Sequence, residues 1–135
     1  LTFLELGGNG LSSLPTEIGA LTGLRCLDLG NNALTSVPPV PPELGPGALT
    51  GLSELYLERN TISPLPSEIG ALTGLTSLAL DDNDLTAVPP ELAALTVLRY
   101  LDLGSNALTA APTELAALTS LTDLYLDNNQ LTGVP

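Results

Sequence analysis

Apolar residues recur along this chain at intervals that change in the same order each time. Residues 1–11 read LTFLELGGNGL, with leucines at the first, fourth, sixth and eleventh places and Asn9 between the last two. The same order opens at Leu24, Leu52, Leu75, Leu98 and Leu121, so every copy reads LxxLxLxxNx(L/I). Strict alternation over the LxL half predicts a short strand with its leucines turned inward. Most copies continue as xx(L/V)PxE(I/L)xxLTx. There a proline and an acid precede a short apolar turn such as EIGALTG or ELAALTS. That predicts a brief helical or 3₁₀ start with the acid near its positive end.

Four copies have a period of 23 residues, giving repeats 1–23, 52–74, 75–97 and 98–120. The copy 24–51 is 28 residues long, and the last, 121–135, is partial. The longer copy contains VPPVPPELGPGALTG at 37–51, which holds five of the chain's twelve prolines. Elsewhere ten residues join this point to the next copy, and here there are fifteen. The pattern resumes in phase at Leu52, which a linker between domains would have no reason to preserve. We therefore read 1–135 as a single repeat array, with a five-residue Pro-rich insertion in a loop on one side. One copy cannot bury its own leucines, but stacked copies can.

The asparagine column, Asn9, Asn32, Asn60, Asn83, Asn106 and Asn129, has a structural reading. A buried Asn satisfies turn backbone groups that would otherwise lack partners, and stacked copies form a ladder. With the leucine, asparagine and LPxEIxxLTxL columns in place across the whole chain, the sequence resembles the leucine-rich repeat family. The 23-residue period is similar to the intracellular type of Ras-pathway scaffolds and plant Ras-group proteins. The resemblance implies an α/β solenoid. It would be a horseshoe segment with a six-strand parallel sheet on the concave face and short helical or 3₁₀ turns on the convex side. It also implies protein binding on the concave face. Two departures stand out: no polar capping sequence at either end and no cysteine-rich flank. From these we expect a fragment of a longer chain, or an uncapped subunit of a larger complex whose ends are covered.

Composition narrows the partner. Fifteen acids stand against three arginines, with no lysine or histidine, for a net charge of −12. Such a surface repels phosphate backbones and anionic lipid, so nucleic acid and membrane surfaces are poor partners and a basic protein is favoured. No apolar run approaches the roughly 20 residues that span a bilayer. The single cysteine, Cys26, excludes an intrachain disulfide and fits a reducing compartment such as the cytoplasm. No signal peptide is visible.

The variable columns hold the candidate site. Phe3, Cys26, Glu54, Ser77, Tyr100 and Asp123 occupy the third position, and Glu5, Asp28, Tyr56, Ala79, Asp102 and Tyr125 the fifth. Both columns should face outward from the sheet. Tyr100, Tyr125, Asp102 and Asp123 are expected to form one patch of two rings and two carboxylates. Tyr56 with Glu54 and Glu58 makes a second, about 14 Å away. Tyrosines among acids suit an interface, and Asp28 shares that surface. The competing reading is that variable columns simply collect whatever the fixed columns exclude.

Three other constellations recur in fixed columns. Glu58, Asp81, Asp82 and Asp127 line the turn side of the sheet, where carboxylates could hold Ca²⁺. No spacing resembles a calcium loop, and Arg59 should lie beside Asp82, so we read a solvated acidic edge and no metal site. Thr22, Thr50, Thr73, Thr96 and Thr119 form a column that an ice-binding ladder would need. Turn chemistry, a hydroxyl on backbone before each strand, accounts for it more simply. The convex acids Glu17, Glu43, Glu68, Glu91 and Glu114 read as structural. No base, phosphate loop or nucleophile motif is present, so neither an enzyme nor a cofactor site is expected.

Overall fold

The computed structural model describes residues 1–37 and 49–133. Most of the Pro-rich insertion, with Glu43 inside it, lies outside the described residues. Six strands form one parallel sheet in sequence order: β1 (Phe3–Glu5), β2 (Cys26–Asp28), β3 (Glu54–Tyr56), β4 (Ser77–Ala79), β5 (Tyr100–Asp102) and β6 (Asp123–Tyr125). The register pairs equal positions of each copy, Leu27 with Leu55, Leu55 with Leu78, and Leu78 with Leu101. The insertion between β2 and β3 leaves that register intact, as the preserved phase requires.

Returning segments carry 3₁₀ turns at Thr16–Ala20, Ser67–Ala71, Pro90–Ala94 and Thr113–Ala117. Each follows a proline held extended, at φ −67° and ψ 147° for Pro15. The amide three residues on donates back to that proline's carbonyl, as Leu92 N does to Pro89 O at 3.0 Å. Only five residues lie in each turn, too few to repay an α-helical nucleus. The acids Glu17, Glu68, Glu91 and Glu114 sit in the first turn, as the sequence suggested.

The core between sheet and turns is aliphatic. Leu24, Leu27, Leu29, Leu55, Leu57, Leu78, Leu80, Leu101 and Leu103 are buried on the strand side, facing Ile18, Ile69 and Leu92 from the turns. Each fully buried Leu or Ile contributes about 1.5–3 kcal/mol. The first and last rungs are looser, with Phe3 and Leu124 exposed.

The asparagine ladder forms as expected. Asn60 accepts from Leu34 N, Asn83 from Ile62 N and Asn106 from Leu85 N, each at 2.9 Å. Each also donates to its own turn and to the rung before, as Asn83 Nδ2 does to Leu80 O and Leu57 O. Asn60, Asn83 and Asn106 are buried, Asn32 and Asn129 half-buried, and Asn9 exposed. The residue just before each of these asparagines adopts a left-handed backbone: Gly8, Asn31, Arg59, Asp82, Ser105 and Asn128, with φ between 49° and 71°. That bend aims its amide at the next rung, as with Arg59 N on Asp81 O at 3.0 Å. The parallel ladder thereby extends past the three-residue strands.

Candidate functional site

Both outward columns are continuous rows across the sheet. Phe3, Cys26, Glu54, Ser77, Tyr100 and Asp123 form one row, and Glu5, Asp28, Tyr56, Ala79, Asp102 and Tyr125 the other. Residues two apart on a strand share a face. On β3 the Tyr56 hydroxyl therefore reaches Glu54 Oε2, donating at 2.9 Å. On β5 the order is reversed, and the Tyr100 hydroxyl donates to Asp102 Oδ2 at 3.2 Å. Each ring thus lies along its own strand, pointing in opposite directions. Tyr125 leans on Tyr100 with centroids 5.6 Å apart and planes tilted by 48°. Asp123 turns away, and its Oδ2 accepts from Thr122 Oγ1 at 2.7 Å. The patch on the last two strands is therefore two rings and Asp102, with Asp123 held to one side.

Strand β4 lies between the tyrosine-bearing strands and presents only Ser77 and Ala79. The result is a trough of about 470 Å³ running along β4. Tyr56 and Tyr100 flank it, and Glu58, Asp81 and Asp102 close its turn end. Tyr56 and Glu58 from one patch and Tyr100 and Asp102 from the other, read separately from sequence, line one groove. Burial, then the Asp102 charge and hydrogen bond, push the Tyr100 phenol up to about 12. Burial and the Glu54 hydrogen bond raise Tyr56, partly opposed by the Ser77 hydroxyl. Both phenols are neutral donors at physiological pH.

The turn side differs from the expected solvated acidic edge. Glu58 is half-buried, and its Oε2 is shielded from solvent without accepting a hydrogen bond. The cause is the neighbouring rung, where Gly30 stands in the equivalent place. The Glu58 carboxylate occupies the space a Cβ on Gly30 would take. Burial raises the Glu58 carboxyl above the usual range, and Asp28 and Asp81 add to it. Asp81 is raised by burial and then by Asp102. Arg59 pairs with Asp82, Nε to Oδ2 at 3.6 Å, both well exposed, a contact worth little in stability. Among the described residues no group of three or more His, Cys, Asp or Glu is arranged to hold a metal ion.

Two outward residues have structural duties. Asp28 Oδ1 accepts from Gly30 N at 2.9 Å, as Asp102 Oδ1 does from Gly104 N. Cys26 lies in an outward row yet is buried, 6% exposed. Burial, then the Glu54 charge, push its thiol up to about 11. Hydroxyl bonds to backbone before the strands come from Ser53 and Thr76, one place ahead of β3 and β4. Thr22, Thr73, Thr96 and Thr119 are exposed.

The family follows from this architecture and from direct comparison. Residues 73–131 match the family described as leucine rich repeat, and 1–42 and 24–67 match its two-copy form. The chain belongs to the leucine-rich repeat family. No match was found among curated proteins. Among solved structures, this leucine-rich repeat chain is similar to a leucine-rich repeat protein of Leptospira interrogans. The identity is 36% and the TM-score 0.76, over 100% of this chain and 39% of that one. It is also similar to the plant peptide hormone receptor RGFR1, solved in complex with RGF2. That match has 33% identity and a TM-score of 0.82, over 98% of this chain and 21% of the receptor. The Arabidopsis receptor kinase HAESA, solved with the peptide hormone IDA and the co-receptor SERK1, is 38% identical. Its TM-score is 0.79, over 96% of this chain and 22% of that one. The repeats described here thus span well under half the length of each of these proteins. Among the described residues no helix is long and apolar enough to cross a membrane.

Proposed function

We propose that this chain is a non-enzymatic recognition module that binds a basic protein segment along the concave face of its sheet. The observation that carries the reading is the single groove joining Tyr56 to Tyr100, closed by Glu58, Asp81 and Asp102 and lined by no cation. Aromatic rings supply contact area at low entropic cost, and a carboxylate edge that Arg59 offsets only in part steers a positive partner. The net charge of −12 acts in the same direction at longer range. The receptors RGFR1 and HAESA, solved with peptide hormones bound, support a peptide-sized partner for a sheet of this kind. The non-enzymatic reading is supported by Cys26. A buried thiol with its pKa raised to about 11 is a poor nucleophile, and the sequence holds no histidine to activate it.

The test is capture on a peptide array graded in net charge, with Tyr100→Ala plus Tyr125→Ala set against Glu68→Gln plus Glu91→Gln. Cationic peptides should be retained, with binding that weakens as salt rises. The tyrosine pair should weaken capture by about tenfold or more, while loss of the ring contact costs only about 0.5–1.5 kcal/mol of stability. The convex glutamates should be silent. Retention independent of peptide charge, or lost only with the convex variants, overturns the reading.

A further inference from the structure

The trough has a shape that selects within the class of basic partners. Strands β3 and β5 lie two spacings apart, about 9.6 Å. Between them β4 contributes one hydroxymethyl, Ser77, and one methyl, Ala79. Tyr56 and Tyr100 are tethered through their hydroxyls to carboxylates on their own strands, so both rings are held along the trough rather than free to fill it. The slot is one side chain wide, with aromatic walls and a small-residue floor.

Its turn end gathers three carboxylates whose charge Arg59 offsets only in part. Glu58, Asp81 and Asp102 close it. None of the three arginines lines the slot. Arg59 is engaged with Asp82, and Arg25 donates to Gly51 O at 3.1 Å.

We propose that the trough over Ala79 seats one arginine side chain of the bound segment. This inference rests on the proposed function above and deepens it. The guanidinium plane stacks beside Tyr56 or Tyr100, and its in-plane N–H groups turn toward Asp81 and Asp102. A planar cation with a fork of donors satisfies ring walls and both carboxylates at once. A lysine ammonium is more strongly hydrated and offers a point charge instead. The sheet's remaining tyrosine, Tyr125, lies one strand beyond Tyr100 and contacts the segment outside the seat.

The test uses the full chain with small probes and reads the backbone amides of Ser77, Ala79 and Asp81 by NMR. N-acetyl-arginine amide should produce a saturable shift centred on Ala79. N-acetyl-citrulline amide, which keeps the shape and loses the charge, should bind at least about tenfold more weakly, with N-acetyl-lysine amide between them. Ala79→Leu fills the slot and should abolish the response. Asp81→Asn leaves the slot's shape and should weaken arginine several-fold, so a folding failure of the leucine variant leaves the test intact. Equal responses to arginine and citrulline, or shifts centred away from β4, overturn the seat. The two readings fail separately. Cationic peptides captured through Tyr100 and Tyr125 with no arginine response at Ala79 sink the seat alone. A clean arginine response without peptide capture sinks the segment-binding reading and leaves the seat.

Discussion

Replacing Asn83 with leucine measures what the asparagine ladder contributes. Asn83 Oδ1 accepts from Ile62 N at 2.9 Å, and its Nδ2 lies 2.9 Å from Leu57 O, 3.1 Å from Leu80 O and 3.2 Å from Asp81 O. Those three carbonyls keep other donors in the variant: Asn60 Nδ2, Asn106 Nδ2 and Arg59 N respectively. Ile62 N–H loses its partner inside the core. That orphan costs about 1–3 kcal/mol, and the weakened carbonyl bonds add about 0.5–1.5 kcal/mol together. The sum is about 3 kcal/mol, or roughly 12 °C in melting temperature for a chain of this size. Asn129 makes the same four contacts but is half-buried on the last rung, where water can replace them. Asn129→Leu should cost about 1 kcal/mol. Thermal and urea melts followed by circular dichroism give both values, and hydrogen exchange at Ile62 should accelerate only in the Asn83 variant. Equal, small losses at the two sites would refute the ladder as a source of stability.

Two further outcomes follow from single contacts. The Glu58 carboxyl titrates above its ordinary 4.5 in the folded chain, through burial first and then Asp28 and Asp81, opposed in part by a hydrogen bond from its own backbone and by Arg59. The folded state therefore holds that proton more tightly, so this contribution is present below the ordinary value and lost as pH rises through the raised one. Melting temperature should climb on acidification from neutral toward that range, and Glu58→Gln should raise it at pH 7 and flatten the profile. A Glu58→Gln variant that melts lower at neutral pH would contradict this. Separately, a Cβ on Gly70 would lie 2.7 Å from the backbone oxygen of Glu91 in the next turn. Gly70→Ala should cost about 1–3 kcal/mol by crowding. Gly104→Ala meets only the movable ends of Asp102 and Asp127 and should cost less, and a urea titration that ranked them the other way would reject the crowding argument.

The period made the sheet legible. Once Leu27, Leu55, Leu78 and Leu101 are equivalent by spacing, parallel pairing in register follows, and so do the two outward rows. The ladder was readable for the same reason, since one Asn per copy at one place demands one duty. Less was visible in the eighth position. Gly8, Asn31, Asp82 and Asn128 there are residues that tolerate a left-handed backbone, a signal that Arg59 and Ser105 dilute. The columns placed Glu54, Tyr56, Tyr100, Asp102 and Tyr125 on one face but said nothing of how far each side chain reaches. Small neighbours decided that. Ala79 opens the trough that merges two patches, and Gly30 lets Glu58 fold down out of solvent. Asp123 was assigned to the aromatic patch by its row, yet an adjacent hydroxyl on Thr122 claims it. Such effects belong to pairs of rungs, which a column by itself does not describe.

The ladder has a bearing on how such a chain lengthens. Each asparagine links its own turn to the rung immediately before it, as Asn106 does with Leu103 and Leu80, and to no rung further away. The sheet bonds obey the same nearest-neighbour limit. An array joined in this way has no keystone. A spliced-in copy of residues 52–74 would present the same donors and acceptors on both sides that its neighbours already expect. Duplication and excision then become moves that change reach without changing the joint. They would also shift Tyr56 relative to Tyr100 by whole strand widths, so under the proposed concave-face binding the count of rungs between them would act as an adjustable ruler for the spacing of a partner's side chains.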